Sequence, residues 1–180
     1  MTRTIVTYGA IAGGLAILGV IASLEVGRGL GMSGLQAVGY LIMLFALSVI
    51  FVCVKRHRDR ARGGLIGFGP AFLLGLGVAG AAGLVYVAVW EMYLAITGHA
   101  FIHDYAAGVL EQKRAAGASE AELAETAAGL ERMTAHYANP AMRAGITFLE
   151  IFPVGFLVAL VTAGVLRRTK LPAAGDASQS

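Results

Sequence analysis

Charged residues are scarce in this sequence, and their scarcity argues against a soluble domain. They make up 14% of the 180 residues, whereas soluble globular domains carry about 25%. Apolar residues reach 57%, and the mean hydropathy is +0.73. This composition is typical of a membrane protein.

Cysteine and catalytic motifs are also nearly absent. The single cysteine, Cys53, cannot form an internal disulfide, and we interpret it as a small apolar filler. The glycine-rich run GGLIGFG lacks the lysine of a phosphate-binding loop, and no GxSxG elbow or CxxC pair occurs. These absences predict a protein that is not an enzyme and holds no cofactor.

Four long apolar stretches are what the sequence does contain, at residues 4–26, 35–54, 69–96 and 142–166. A helix rises about 1.5 Å per residue, so about 20 apolar residues cross a hydrocarbon core about 30 Å thick. The sequence therefore predicts an all-α fold, a bundle of four transmembrane helices. The first stretch is too long for a cleaved secretory signal and lacks a clear cleavage site, so we predict an uncleaved span.

Basic residues cluster on one side of the four predicted spans. Nine of the fourteen lie there: Arg3 before span one, Lys55, Arg56, Arg58, Arg60 and Arg62 between spans two and three, and Arg167, Arg168 and Lys170 after span four. Because cytoplasmic loops are rich in lysine and arginine, we predict a multi-pass protein of the bacterial inner membrane with both termini cytoplasmic. The run KRHRDRARGG could also be an anionic-lipid or nucleic-acid patch. We expect it to set the topology, with no nucleic-acid partner.

The segment between spans three and four is charged, and its apolar residues recur at helical spacing. Ser119 and Glu122 have the spacing of a capping box, which starts a new helix. We predict an extracytoplasmic amphipathic hairpin with helices at about residues 100–116 and 120–137. Residues 1–168 then form one membrane domain, and the polar tail at residues 169–180 is predicted to be disordered and cytoplasmic.

Three acidic residues lie in or at the ends of predicted spans. Glu150 falls near the middle of span four, Glu91 lies nearer the outer end of span three, and Glu25 ends span one. An ionisable group at mid-membrane costs on the order of 3 kcal/mol, so we expect these acids to face the bundle interior and to have partners. Arg28 and Arg143 are the candidate partners. Arg143 lies two turns from Glu150 on nearly the same face, too far for a direct pair.

Pro153 strengthens the interest in Glu150. A proline cannot donate to the carbonyl four residues earlier, which here belongs to Leu149. A free carbonyl beside a carboxylate at mid-membrane is suited to hold a proton, a cation or water. The alternative is a structural kink at which a hydrogen-bonded Glu150 locks helices together.

Three histidines suggest a weak metal site. His99 and His103 are four residues apart, and His136 ends the same outer segment. Zinc takes three or four such ligands. However, Gly98 interrupts the helix there and no established zinc signature occurs, so surface histidines are the better interpretation.

Glycine is abundant inside the predicted spans. Small residues repeat at helical spacing in Gly9 and Gly13, Gly75 and Ala79, and Gly80 and Gly83. Such faces let membrane helices approach closely. They predict a compact bundle, a homo-oligomer, or both.

Two stretches resemble a known family. The run VKRHRDRARGGLIGFGPAFLLGLGVAGAAGLVYVAVWEMY resembles the second-to-third-span region of the bacterial integral-membrane family filed as domain of unknown function 4199, and HYANPAMRAGITFLEIFPVGFLVAL resembles its fourth-span signature. Pro70 stands where the family more often has a basic residue. The resemblance covers about residues 5–168. It implies a four-span inner-membrane protein and supplies no mechanism.

The sequence therefore favours a small structural or interaction protein that contacts the lipid bilayer and self-associates through its glycine-rich faces. Two alternatives remain open. One is a proton- or ion-coupled transport component that uses Glu150 and Glu91, and the other is a membrane metalloenzyme built from the outer histidines and acids. The sequence identifies no protein partner.

Overall fold

Seven helices make up the described part of the chain. The computed structural model describes residues 1–26, 31–61, 63–98 and 100–167. The helices are α1 (Thr2–Val26), α2 (Gly31–Leu47), α3 (Val49–Ala61), α4 (Phe68–Ile96), α5 (Ala100–Ala115), α6 (Glu120–Ala138) and α7 (Pro140–Leu166). The predictions that lie outside the described residues concern Arg28, Arg62, His99, Arg168, the side chain of Glu25 and the tail at residues 169–180.

Within the described residues, four helical segments are long and apolar enough to cross a membrane. They are Thr2–Leu24, Gln36–Arg60, Phe68–Ile96 and Pro140–Leu166. The second segment combines α2 and α3, and the hairpin helices α5 and α6 are not among the four. The all-α fold with four candidate transmembrane helices, predicted from the sequence, is therefore confirmed.

The second span differs from its prediction in the middle and at its end. Ser48 separates α2 from α3, and its hydroxyl donates to the carbonyl of Phe45 at 2.6 Å, a local bond that competes with regular helix. The helix then continues through the basic residues, which were predicted to fill a loop. Asp59 supports this extension because it pairs with both Arg58 and Lys55.

α4 lies at the centre of the bundle, packed against α1 on one side and α7 on another. Glycine makes both contacts close. A Cβ on Gly13 would lie 2.3 Å from the carbonyl oxygen of Ala82, and a Cβ on Gly155 would lie 2.8 Å from the Cβ of Ala79. Real Cβ atoms do not approach so closely, so these helices reach their observed separation only because glycine has no side chain.

The predicted glycine faces are therefore used mainly inside the chain. A Cβ would meet a neighbouring helix at Gly9, Gly13, Gly75 and Gly83. A Cβ on Gly80, in contrast, would meet nothing within 4 Å. These faces explain the compact bundle, and they offer little free surface for a second copy.

α5 and α6 pack against each other at one end of the bundle, where α6 also contacts α7. The predicted capping box is present, because the Ser119 amide donates to the Glu122 carboxylate at 2.8 Å and the Glu122 amide donates to the Ser119 hydroxyl at 3.3 Å. The hydrogen bonds from Ser119 hold the pKa of Glu122 below its ordinary value. The apolar stripe of the hairpin faces inward, with Ile102 buried and Leu123 and Leu130 half-buried.

Candidate functional site

A salt bridge joins α4 and α7 at the end of the bundle that carries the hairpin. The Nε of Arg143 donates to Oε1 of Glu91 at 2.7 Å, and its Nη2 donates to Oε2 of the same carboxylate. The arginine side chain is 6% exposed and the glutamate side chain 29%. Two parallel bonds of this kind are the strongest geometry for the pair. Arg143, a predicted partner for the membrane acids, thus pairs with Glu91.

Tyr137 connects the hairpin to this salt bridge. Its carbonyl accepts from Nη1 of Arg143 at 3.1 Å, and its hydroxyl accepts from the indole nitrogen of Trp90 at 2.7 Å. Its ring centroid lies 5.7 Å from the guanidinium carbon of Arg143, within the range of a cation–π contact. Burial raises the pKa of Tyr137 above its ordinary value, which keeps the phenol neutral.

Phe101 adds a contact from α5, since its ring meets Trp90 edge-on with centroids 4.9 Å apart. The residues Trp90, Glu91, Phe101, Tyr137 and Arg143 together form what we call the hairpin clamp. Arg143 joins α7 to α4 and α6, and the contact between Trp90 and Phe101 adds α5. The clamp therefore holds the hairpin against the bundle.

The clamp forms where α6 turns directly into α7. Asn139 caps α7, and its carboxamide oxygen accepts from two backbone amides at 3.0 and 3.4 Å. Pro140 follows at the first helical position, which suits its fixed φ. Arg143 therefore lies in the first turn of α7, where the positive end of the helix dipole disfavours a cation. The carboxylate of Glu91 offsets both the charge of the Arg143 guanidinium and the partial positive charge at the start of α7.

Glu150 lies two turns of α7 beyond Arg143, about 10 Å deeper along the helix axis. The residue is exposed at the bundle surface, although neighbouring side chains partly desolvate its carboxyl, so it does not lie in the bundle interior as predicted. Within the described residues, its carboxyl makes no hydrogen bond or ion pair. Tyr86 and Tyr137 lie within electrostatic range of it.

Pro153 lies on the same exposed side of α7, one turn beyond Glu150, and the helix continues through it. The Leu149 carbonyl therefore lacks its usual helical donor. The surrounding exposed side chains are apolar, with Leu149 66%, Leu157 58% and Val161 63% exposed. Glu150 is thus a polar residue on an otherwise apolar exposed face of α7.

The predicted topology anchors that are described gather at the other end of the bundle. Lys55, Arg56 and Arg60 lie in the last turns of α3, and Arg167 follows α7 with its guanidinium carbon 5.5 Å from the ring centroid of Phe68. Arg58 differs from the others. Its side chain is fully buried, and its Nη2 lies 2.7 Å from Oδ1 of Asp59, so it stabilises the bundle end instead of facing solvent.

The structure describes two of the three candidate metal-binding histidines. His103, near the start of α5, and His136, in the last turn of α6, are both exposed. Among the described residues, no group of three or more histidine, cysteine and acidic side chains lies close enough to hold a metal ion. Within that part of the chain, the histidines are surface residues of the hairpin.

Two features of the site were not found from the sequence. The hydrogen bond between Trp90 and Tyr137 joins residues far apart along the chain, and no local pattern predicts it. The burial of Arg58 was also missed, although the adjacent Asp59, the single acid in the basic run, was an available signal.

Comparison with protein families gives one match. The model of the family described as "Protein of unknown function (DUF4199)" matches residues 7–168. Comparisons with curated proteins and with solved structures give no match. The family match agrees with the resemblance found in the sequence.

Proposed function

This chain belongs to the DUF4199 family, which is described as of unknown function, and we propose that it is a non-enzymatic structural or interaction protein of the bacterial inner membrane. The basic end supports an orientation with both termini cytoplasmic and the hairpin outside. We propose that the interaction surface is the face of α7 around Glu150. Its partner is a second copy of the chain.

The exposure of Glu150 carries this proposal. A charged side chain in the middle of a bilayer costs on the order of 3 kcal/mol, and the monomer provides no hydrogen bond that offsets this cost within the described residues. A neighbouring transmembrane surface with a polar group would offset part of it. Hydrogen bonds between membrane helices contribute about 1–2 kcal/mol in model peptides.

A second copy suits this position because a neutral carboxyl is self-complementary. Its hydroxyl donates and its carbonyl oxygen accepts. Two chains related by a twofold axis can therefore pair Glu150 with Glu150 and need no other polar residue. The glycine faces, which the sequence favoured for self-association, are mostly covered by helices of the same chain.

Glu150→Leu is expected to weaken self-association in lipid on the order of a hundredfold, since it removes both hydrogen bonds of the pair, each worth about 1–2 kcal/mol. Glu150→Gln keeps a donor and an acceptor and is expected to retain most of the association. The measurement is energy transfer between two labelled pools of protein in vesicles, as a function of dilution. Leu18→Ile, which changes an exposed apolar residue of α1 and not of α7, serves as the control and should have no effect. A monomeric wild-type protein, or a leucine variant that associates normally, would contradict the proposal.

A second candidate function, proton- or ion-coupled transport, is supported by a different observation. Tyr86, Tyr137 and Glu150 lie within electrostatic range of one another. Thr147 is buried on α7 between Arg143 and Glu150. These polar groups form a series from the hairpin end towards mid-membrane, where Glu150 and the free Leu149 carbonyl could hold a proton or cation.

Glu150→Gln tests this second candidate, because the amide keeps the hydrogen bonds but cannot carry a proton. In liposomes with a pH-sensitive dye, the wild type is expected to dissipate a pH gradient and the glutamine variant to lose that flux. Glu122→Gln in the hairpin changes the same chemical group outside the spans and should leave the flux intact. Equal flux in wild type and Glu150→Gln, or no flux above empty liposomes in either, would exclude the transport role.

A further inference from the structure

The end of the bundle opposite the hairpin carries cations that no carboxylate of the described residues neutralises. Arg3, Arg56 and Arg60 are exposed there. Asp59, the acid of this end among the described residues, is already paired with Arg58 at 2.7 Å and Lys55 at 3.3 Å. The exposed guanidinium groups therefore have no carboxylate partner within the described residues.

Two of these cations lie on one face of α3 beside α1. Arg56 and Arg60 are separated by one helical turn, which places like charges next to each other at a cost. The Nη1 of Arg56 donates to the hydroxyl of Tyr8 in α1 at 3.1 Å, and α1 packs against α3. The hydrogen bond positions the Arg56 side chain but does not neutralise its charge, because the Tyr8 hydroxyl is uncharged. An anion held between the two arginines would relieve the repulsion.

One turn before Arg56, the same face of α3 is apolar. Val52 precedes Arg56 by one turn and is 46% exposed, and Ile11 of α1 follows Tyr8 by one turn and is also 46% exposed. A ligand of this surface therefore meets two guanidinium groups at one end and apolar side chains at the other. That combination matches an amphipathic anion and does not match free phosphate or a nucleic acid.

We propose that Arg56 and Arg60, with Tyr8 positioning the former, bind the headgroup phosphate of an anionic phospholipid whose acyl chain lies along Val52. Each basic residue near a membrane surface contributes about 1 kcal/mol to binding anionic lipid, which is about fivefold in affinity. Loss of both arginines is therefore expected to weaken binding on the order of thirtyfold. This site is independent of the Glu150 face and of self-association.

The test is retention of phosphatidylglycerol by the detergent-purified protein, measured by native mass spectrometry over a lipid titration, with phosphatidylcholine as the neutral comparison. The wild type is expected to retain phosphatidylglycerol selectively, and Arg56→Gln/Arg60→Gln to lose that selectivity. Lys113→Gln/Arg114→Gln removes the same charge from the hairpin and should behave as wild type. Circular dichroism of each variant verifies that the helices are intact.

Three outcomes would overturn the proposal. The first is equal phosphatidylglycerol retention by wild type and the α3 double variant. The second is an equal loss in the hairpin control, which would show that only net charge matters. The third is protection from thermal unfolding by inorganic phosphate as strong as that by phosphatidylglycerol, which would identify a free anion and not a lipid.

Discussion

Replacement of Arg143 by methionine is expected to lower the free energy of unfolding by about 2–3 kcal/mol, less than for a fully buried ion pair because the Glu91 side chain is 29% exposed. Methionine fills a similar volume but leaves the Glu91 carboxylate without its two hydrogen bonds and the Tyr137 carbonyl without its donor. Because the clamp holds the hairpin, α5 and α6 should also detach from the bundle. Unfolding in mixed detergent micelles measures the first effect, and hydrogen exchange in α6 measures the second.

The matched control is Arg114→Met. Arg114 is 67% exposed and lies 4.0 Å from Glu111 on the surface of α5, and such exposed pairs contribute about 0–1 kcal/mol. A double variant, Arg143→Met with Glu91→Met, removes both charges and should recover much of the loss, because a buried pair often stabilises no more than apolar residues of similar volume. If Arg143→Met cost no more than Arg114→Met, the clamp would not be the connection that the structure indicates.

The second large effect is expected at Gly13, where alanine should destabilise the bundle by about 1–3 kcal/mol, as overpacking in a closely packed core does. The added Cβ would lie 2.3 Å from the Ala82 carbonyl oxygen. That oxygen belongs to the backbone of α4 and cannot move away alone, so α1 and α4 would have to separate. Thermal unfolding in detergent, with a reporter on each helix, measures the change.

Gly14→Ala is the control, one residue further along α1. A Cβ at Gly14 would meet nothing within 4 Å, so this change should only add helix propensity, worth up to about 1 kcal/mol in favour of folding. The two substitutions are chemically identical and differ only in the face of α1 that they alter. Equal effects at the two positions would contradict the close packing of α1 on α4.

Local patterns in the sequence were sufficient to predict the helices and the N-terminal cap of α6. The length and hydropathy of each apolar stretch indicate a span because the bilayer imposes its thickness on any chain that crosses it. The capping box at Ser119 and Glu122 involves neighbouring residues only, and the structure contains it. The continuation of α3 through the basic run was missed because charge suggested a loop, whereas Asp59 pairs with Lys55 one turn earlier.

The fold class, the four candidate spans and the residue types within them follow from the sequence, since each depends on neighbours along the chain. The use of those residues depends on how the helices pack. Glu91 and Glu150 were both possible partners for Arg143. The packing of α7 on α4 places Arg143 against Glu91 and leaves Glu150 at the surface. The physical reason is that a contact between helices depends on their rotation and separation, and here the glycines of α1, α4 and α7 set that separation.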